Sequence, residues 1–171
     1  MVEISNDFWK KWNFPNCVGA IDGKHIRIFS PKNSGTLYFN YIDFFSIVLL
    51  AIVDANCKFI FVDIGSYGKE GDSGIFTNQK YQILPYVIVG DGAFRLDPHM
   101  MRSYSKIELR NDCEKKNFNY RLSRARRTTE NSFGLLSQVF GVFYTPIPLK
   151  IQTVDKLVLS ACCLHNLLRN Q

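Results

Sequence analysis

Apolar and polar positions follow two different periods along this chain, and the switches between them outline its elements. In residues 1–16, Phe8, Trp9, Trp12 and Phe14 have the spacing of a short amphipathic helix that packs on a core, and Pro15 ends it. Residues 17–29 read as a first strand, and Pro31-Lys32-Asn33-Ser34-Gly35 as a turn. From Tyr41 to Asp54 the run YIDFFSIVLLAIVD is rich in β-branched and aromatic residues and predicts a central strand. Ala55-Asn56 turns the chain, and Lys58 to Gly65 returns as a hairpin partner. Its period of two puts Phe59, Phe61 and Asp63 on one face and Ile60, Val62 and Ile64 on the other.

The second half is less regular. Gly65 to Gly74 (GSYGKEGDSG) is a glycine-rich loop without the G-K-[ST] of a nucleotide-binding P-loop. It reads as a flexible loop before a short helix, with Asp72 placed to cap that helix or to approach a metal. Tyr86 to Gly90 is a short, wholly apolar strand of the kind buried on both faces by parallel pairing, and it runs into Asp91. The connection from Phe76 to Tyr86 is barely long enough for a parallel crossover, which needs about a dozen residues. Residues 97–120 read as irregular and basic. Ser123 is placed to cap a helix in which Leu122, Ala125, Thr129, Phe133, Leu136 and Phe140 form a core-facing stripe. Glu130 lies at the edge of that stripe, and Gly134, one turn on, leaves space above it. Pro146 and Pro148 mark a loop, and Thr153 to Arg169 is helical again, with His165 read as a hydrogen-bonded packing residue.

Composition narrows the class. The chain has 171 residues, 46% hydrophobic and 21% charged, enough for a single domain with a sizeable core: residues 1–16 as a packing segment and 17–171 as the body. The longest apolar run, Phe44 to Val53, is too short to span a bilayer, so no membrane association is expected, and the N-terminus lacks the apolar region of a signal peptide. Five cysteines without a C-x-x-C pair argue against a disulfide framework or a zinc site and for reduced thiols in an intracellular protein.

Charge adds a partner class. The formal net charge is +6, and the window from Arg102 to Arg127 carries nine basic against three acidic residues, so the whole excess lies just before Glu130. A concentrated basic stretch beside a carboxylate suits a phosphate-backbone partner; a solvated basic loop is the alternative.

Candidate chemistry centres on Asp22, a carboxylate in the middle of the apolar strand CVGAIDGKHIRI. An ionised Asp in apolar surroundings needs a partner, a set of hydrogen bonds or a metal ion. Asp-Gly between apolar runs is also the strongest short-range hairpin signal, so a turn tip at Asp22-Gly23 competes. The wider layout favours the metal. Carboxylates fall on the first strand, at the end of the fourth and on the following helix, which is the layout of an RNase H-like α/β fold, a mixed central sheet flanked by helices.

The blocks CVGAIDGKHIRI, YVIVGDGAF and FNYRLSRARRTTENSFGLL resemble the three acidic blocks of PIF/Harbinger-type transposases of the DDE superfamily, and LSACCLHNLL resembles that family's closing helix. The resemblance implies a catalytic triad of Asp22, Asp91 and Glu130, with Asp72 as a further metal ligand, and Mg²⁺ or Mn²⁺ as cofactor. It implies DNA as substrate, held by Lys115, Lys116, Arg121, Arg124, Arg126 and Arg127, and a nuclear location. A separate Myb-like partner protein would supply sequence-specific DNA binding, and assembly into an oligomer is left open. The pattern departs from the family at Gly71, where a His is common, and at Gly92. The motifs AIDGK and VGDGAF are also similar to those of haloacid dehalogenase phosphatases, but Ala20 stands where their nucleophilic Asp belongs, so a covalent mechanism is excluded. A domesticated or decayed transposase domain, binding DNA or protein without cutting, is the alternative function.

Overall fold

The structure, a computed structural model, describes residues 1–67 and 86–170. Asp72, the short helix expected after the glycine-rich loop and the Phe76–Tyr86 connection lie outside the described residues. The chain folds as helix α1 (Val2–Trp12), strands β1 (Cys17–Arg27), β2 (Ser46–Val53), β3 (Phe59–Tyr67), β4 (Val87–Val89) and β5 (Met100–Met101), helix α2 (Cys113–Val139) and helix α3 (Ile151–Leu168). The strands form one mixed sheet in the order β3-β2-β1-β4-β5. β1 to β3 are antiparallel, while β4 runs parallel to β1 and β5 parallel to β4. A five-stranded mixed sheet flanked by helices is the RNase H-like α/β arrangement expected.

The sheet is buried on both faces, unequally. β2 alternates cleanly: Ile47, Leu49, Ala51 and Val53 join the main core, whereas Leu50 points into a second, smaller cluster with Ile21, Phe94 and Met100. The main core is closed by Phe8 of α1, by Leu122, Ala125, Phe133 and Leu136 of α2, and by Val154, Val158 and Ala161 of α3. All three described helices therefore cover the same face. A buried leucine or phenylalanine contributes roughly 1.5–3 kcal/mol, so this face provides most of the driving force for the fold.

Four expectations change in detail, each for a local reason. α1 stops at Trp12, before Pro15, because Asn13 turns left-handed (φ 53°) and its N–H closes the last turn onto Phe8 and Trp9 carbonyls. β2 begins at Ser46, not Tyr41. The Asn40 side chain accepts the N–H groups of Ile42 and Phe44 and donates to Ser46 Oγ, which ties residues 41–45 into a loop with Asp43 at φ 62°. In β3 the simple alternation fails, because a bulge at Ile60 shifts the register between Ile52–Phe61 and Val53–Phe59. Phe59 consequently shares the main core with Val62 and Ile64, and Ile60 and Phe61 are left about half exposed. Finally, α2 starts ten residues before Ser123. Its N-cap is Asp112, whose side chain accepts the Lys115 N–H at 3.0 Å, and Phe118 anchors the first turns on Phe14 and Tyr104.

α3 is locked to the hairpin by polar side chains as well as apolar ones. Buried His165 donates from Nε2 to the Cys57 carbonyl (2.8 Å) and lies edge-on to Phe59, the packing role read from sequence. The Asn166 amide pairs both backbone groups of Phe59, each at 2.8 Å, as a neighbouring strand would. All five cysteines are free; burial pushes the thiols of Cys17 and Cys162 up to about 12.

Candidate active site

Asp22 is not at a hairpin tip. It sits inside β1, paired with Ala51 of β2, and strand alternation turns it to the face that carries Ala51, Ala20 and Ile26, the face covered by α2. Lys24, two residues on, shares that face and reaches over the Phe133 ring at 5.9 Å. Burial lowers the pKa of the Lys24 ammonium from its ordinary value. The Asp22 side chain is 18% exposed, and one of its oxygens accepts the N–H of Gly23 at 2.9 Å.

Asp91 reaches the same end of the sheet from the neighbouring strand. The last β1–β4 pair is Ala20 with Val89; Asp22 stands two residues further on within β1, and Asp91 two residues further on, just past the end of β4. Gly90 makes this passage possible. A Cβ there would come within 2.9 Å of the Phe94 ring and 3.1 Å of Ile21, so only glycine lets the chain leave β4 against its own turn. Asp91 then opens that turn, its Oδ1 accepting the Ala93 N–H at 2.9 Å.

Glu130 comes from the middle of α2 and is half exposed. What connects it to β1 is Arg126, one turn earlier. The Arg126 guanidinium donates from Nη2 to Glu130 Oε1 at 2.8 Å and from Nη1 to Asp22 Oδ2 at 3.3 Å. Two of the three predicted carboxylates, 108 positions apart in the sequence, thus share one cation. Among the described residues, no three His, Cys, Asp or Glu side chains converge tightly enough to hold a metal ion. The donors themselves are hard carboxylate oxygens, the type Mg²⁺ and Mn²⁺ require. Sequence reasoning missed the Asp22 contact of Arg126 and the desolvated Lys24. The i,i+4 spacing of Arg126 and Glu130 signalled half of the first; nothing local signalled its long-range half.

The basic residues predicted for nucleic acid divide into two groups. Lys115 is engaged, paired with Asp112 at 3.4 Å and lying over the Tyr104 ring. Lys116, Tyr120, Arg124 and Arg127 repeat at helical spacing on the side of α2 opposite its buried stripe, with the Arg124 guanidinium 5.7 Å from the Tyr120 ring centre. Gly134 continues that side with nothing within 4 Å of where a Cβ would be. Arg121 lies round the helix, lining a hollow of about 490 Å³ with Phe14, Asn117 and Phe118. So residues 97–112 are irregular, as expected, apart from the short β5, while 113–120, read as irregular too, open α2, whose outward basic face runs on to Arg127, just before Glu130.

Comparison with known proteins covers the same region. The family described as DDE superfamily endonuclease matches residues 21–166, an interval containing Asp22, Asp91 and Glu130. A curated relative, Protein ALP1-like from Arabidopsis thaliana, is 26% identical over 192 aligned positions, covering 97% of this chain and 46% of its own length. The chain thus spans about half of that relative. No solved structure matches it.

Proposed function

Because this chain belongs to the DDE superfamily endonucleases and resembles their Harbinger transposase type, we propose that it is a divalent-metal-dependent DNA endonuclease. Asp22, Asp91 and Glu130 are the catalytic carboxylates, and with Asp72 they would hold Mg²⁺ or Mn²⁺. One observation carries the reading: Arg126 ties Glu130 to Asp22, and Asp91 opens the turn two residues after the last pair of β4 with β1, as Asp22 stands two residues after it on β1. Bound divalent ions would supply charge stabilisation on the attacking and leaving oxygens of phosphodiester cleavage.

The chain's own residues do the rest. Lys116, Arg121, Arg124 and Arg127 hold the phosphate backbone along α2 and aim it at the carboxylates, while Lys115 and Arg126, also expected there, are engaged with Asp112 and with Asp22 and Glu130. Phosphate contacts of this type position a duplex without reading its sequence, so a separate Myb-like partner protein supplies recognition, in the nucleus. Plasmid nicking in Mg²⁺ or Mn²⁺ tests the proposal. The wild type should relax supercoiled DNA, and Asp22→Asn should not; equal nicking by both would sink it.

A second reading has support from the same contact. A guanidinium between Asp22 and Glu130 suits a domesticated domain that binds DNA or protein and no longer cuts. That reading gains if DNA is bound and neither protein nicks.

A further inference from the structure

We propose that Arg126 is a built-in counter-cation of the carboxylate site. It holds Asp22 and Glu130 together in the metal-free protein, and a divalent ion must displace it to bind there. The inference rests on the metal-binding reading above and deepens it, by naming the residue that sets the site's affinity.

The geometry is that of a fork. Two different amino groups of one guanidinium reach two different carboxylates, at 3.3 and 2.8 Å, and the planar fork is suited to this in a way that a point-like ammonium is not. Without that cation Asp22 and Glu130 would bring like charges together, which destabilises both ionised forms. The arginine comes from the same helix as Glu130, four residues earlier, so the pairing is set as soon as α2 forms. Asp22 then joins it from across the sheet face.

A metal ion needs the carboxylate oxygens that the guanidinium occupies. Binding of one cation therefore costs the contacts of the other, and linkage makes the competition reciprocal. Arg126 is able to yield. Its side chain is 26% exposed and sits next to the outward basic face of α2, where solvent or a phosphate can receive it. Glu130, 53% exposed, keeps its position on the helix when the arginine leaves. The site is thus preorganised by a cation that the protein itself supplies, and it gives up affinity for metal in return.

The test compares Arg126→Gln, Arg126→Lys and Arg127→Gln with the wild type, using Mn²⁺ titration calorimetry and melting temperature in EDTA. Arg126→Gln should bind Mn²⁺ about tenfold more tightly, the scale of typical couplings between sites, and should melt lower without metal. Arg126→Lys should fall between the two, because it keeps the charge and loses the fork. Arg127→Gln removes the same charge from an exposed position on the same helix and should change Mn²⁺ affinity less than about twofold, as expected of a screened surface charge. Unchanged or weaker binding by Arg126→Gln overturns the proposal, and so does an equal gain in Arg127→Gln. If neither the wild type nor Arg126→Gln binds Mn²⁺, the metal-site reading fails and this one with it. If both bind equally, only the role of Arg126 fails.

Discussion

Salt dependence of DNA binding gives the sharpest test of the basic helix face. Of the nine basic residues between Arg102 and Arg127, three are already engaged. Arg102 donates to the carbonyls of Gly92 and Phe94, Lys115 pairs with Asp112, and Arg126 holds two carboxylates. On α2 that leaves Lys116, Arg121, Arg124 and Arg127 for phosphates. Four neutralised phosphates give a slope of log K against log[salt] of about −3.6 on duplex DNA. Raising salt from about 50 to about 200 mM should then weaken binding by roughly a hundredfold. Replacing Lys116, Arg124 and Arg127 together with Ala should flatten the slope by about three and weaken unrelated duplexes alike. The three side chains are outside the core, so the fold should survive, which circular dichroism will check. Fluorescence anisotropy with labelled duplexes at five or more salt concentrations measures the slope. A slope unchanged in the triple variant would refute the assignment, and a selective loss for one DNA sequence would mean that the face reads bases.

Two glycines should respond to alanine in opposite directions. At Gly134 there is open space on a helix, so Gly134→Ala should stabilise by about 0.5–1 kcal/mol, whereas at Gly19 the new Cβ would sit 2.4 Å from Ile52 Cγ2 and overpacking should cost about 1–3 kcal/mol; urea unfolding decides, and equal shifts would refute the packing. A pH effect is expected at Asp155, whose Oδ1 is buried without a hydrogen-bond partner among the described residues and whose pKa is raised from 3.8 by burial. A raised folded pKa means stability is lost as pH rises from the unfolded value through the folded one. Asp155→Asn should therefore raise the melting temperature at pH 7 and give no gain near pH 3, and a gain of equal size at both would contradict the burial argument.

The sequence was most legible where local pattern and tertiary demand agree. β1, the β2–β3 hairpin and the Leu122–Leu136 stripe are in place because their apolar periods match the faces they bury. The first ten residues of α2 were not legible, since Cys113 to Leu122 is largely polar and only Phe118 and Leu122 pack. Its helicity depends on the Asp112 cap and on ring contacts with Phe14 and Tyr104, which sequence order does not reveal. The bulge at Ile60 escaped for a related reason: Ile and Phe suit either face of a strand. At the site, the three carboxylate blocks stood out individually. The Arg126–Asp22 contact did not, because it joins residues that only the completed sheet and helix bring together.

That separation has a consequence for the order in which the chain is made. Asp22 belongs to an antiparallel meander, β1 to β3, that is complete by Tyr67, whereas Arg126 lies 104 residues after Asp22. During synthesis from the N-terminus, the meander leaves the ribosome with its carboxylate and without its counter-cation. From Tyr67 to Arg126 the ribosome adds 59 more residues, so at ~5–20 residues per second the finished meander waits about 3–12 s, far longer than a hairpin takes to form. Over that interval Asp22 lies on a face that α2 has not yet covered and water still reaches.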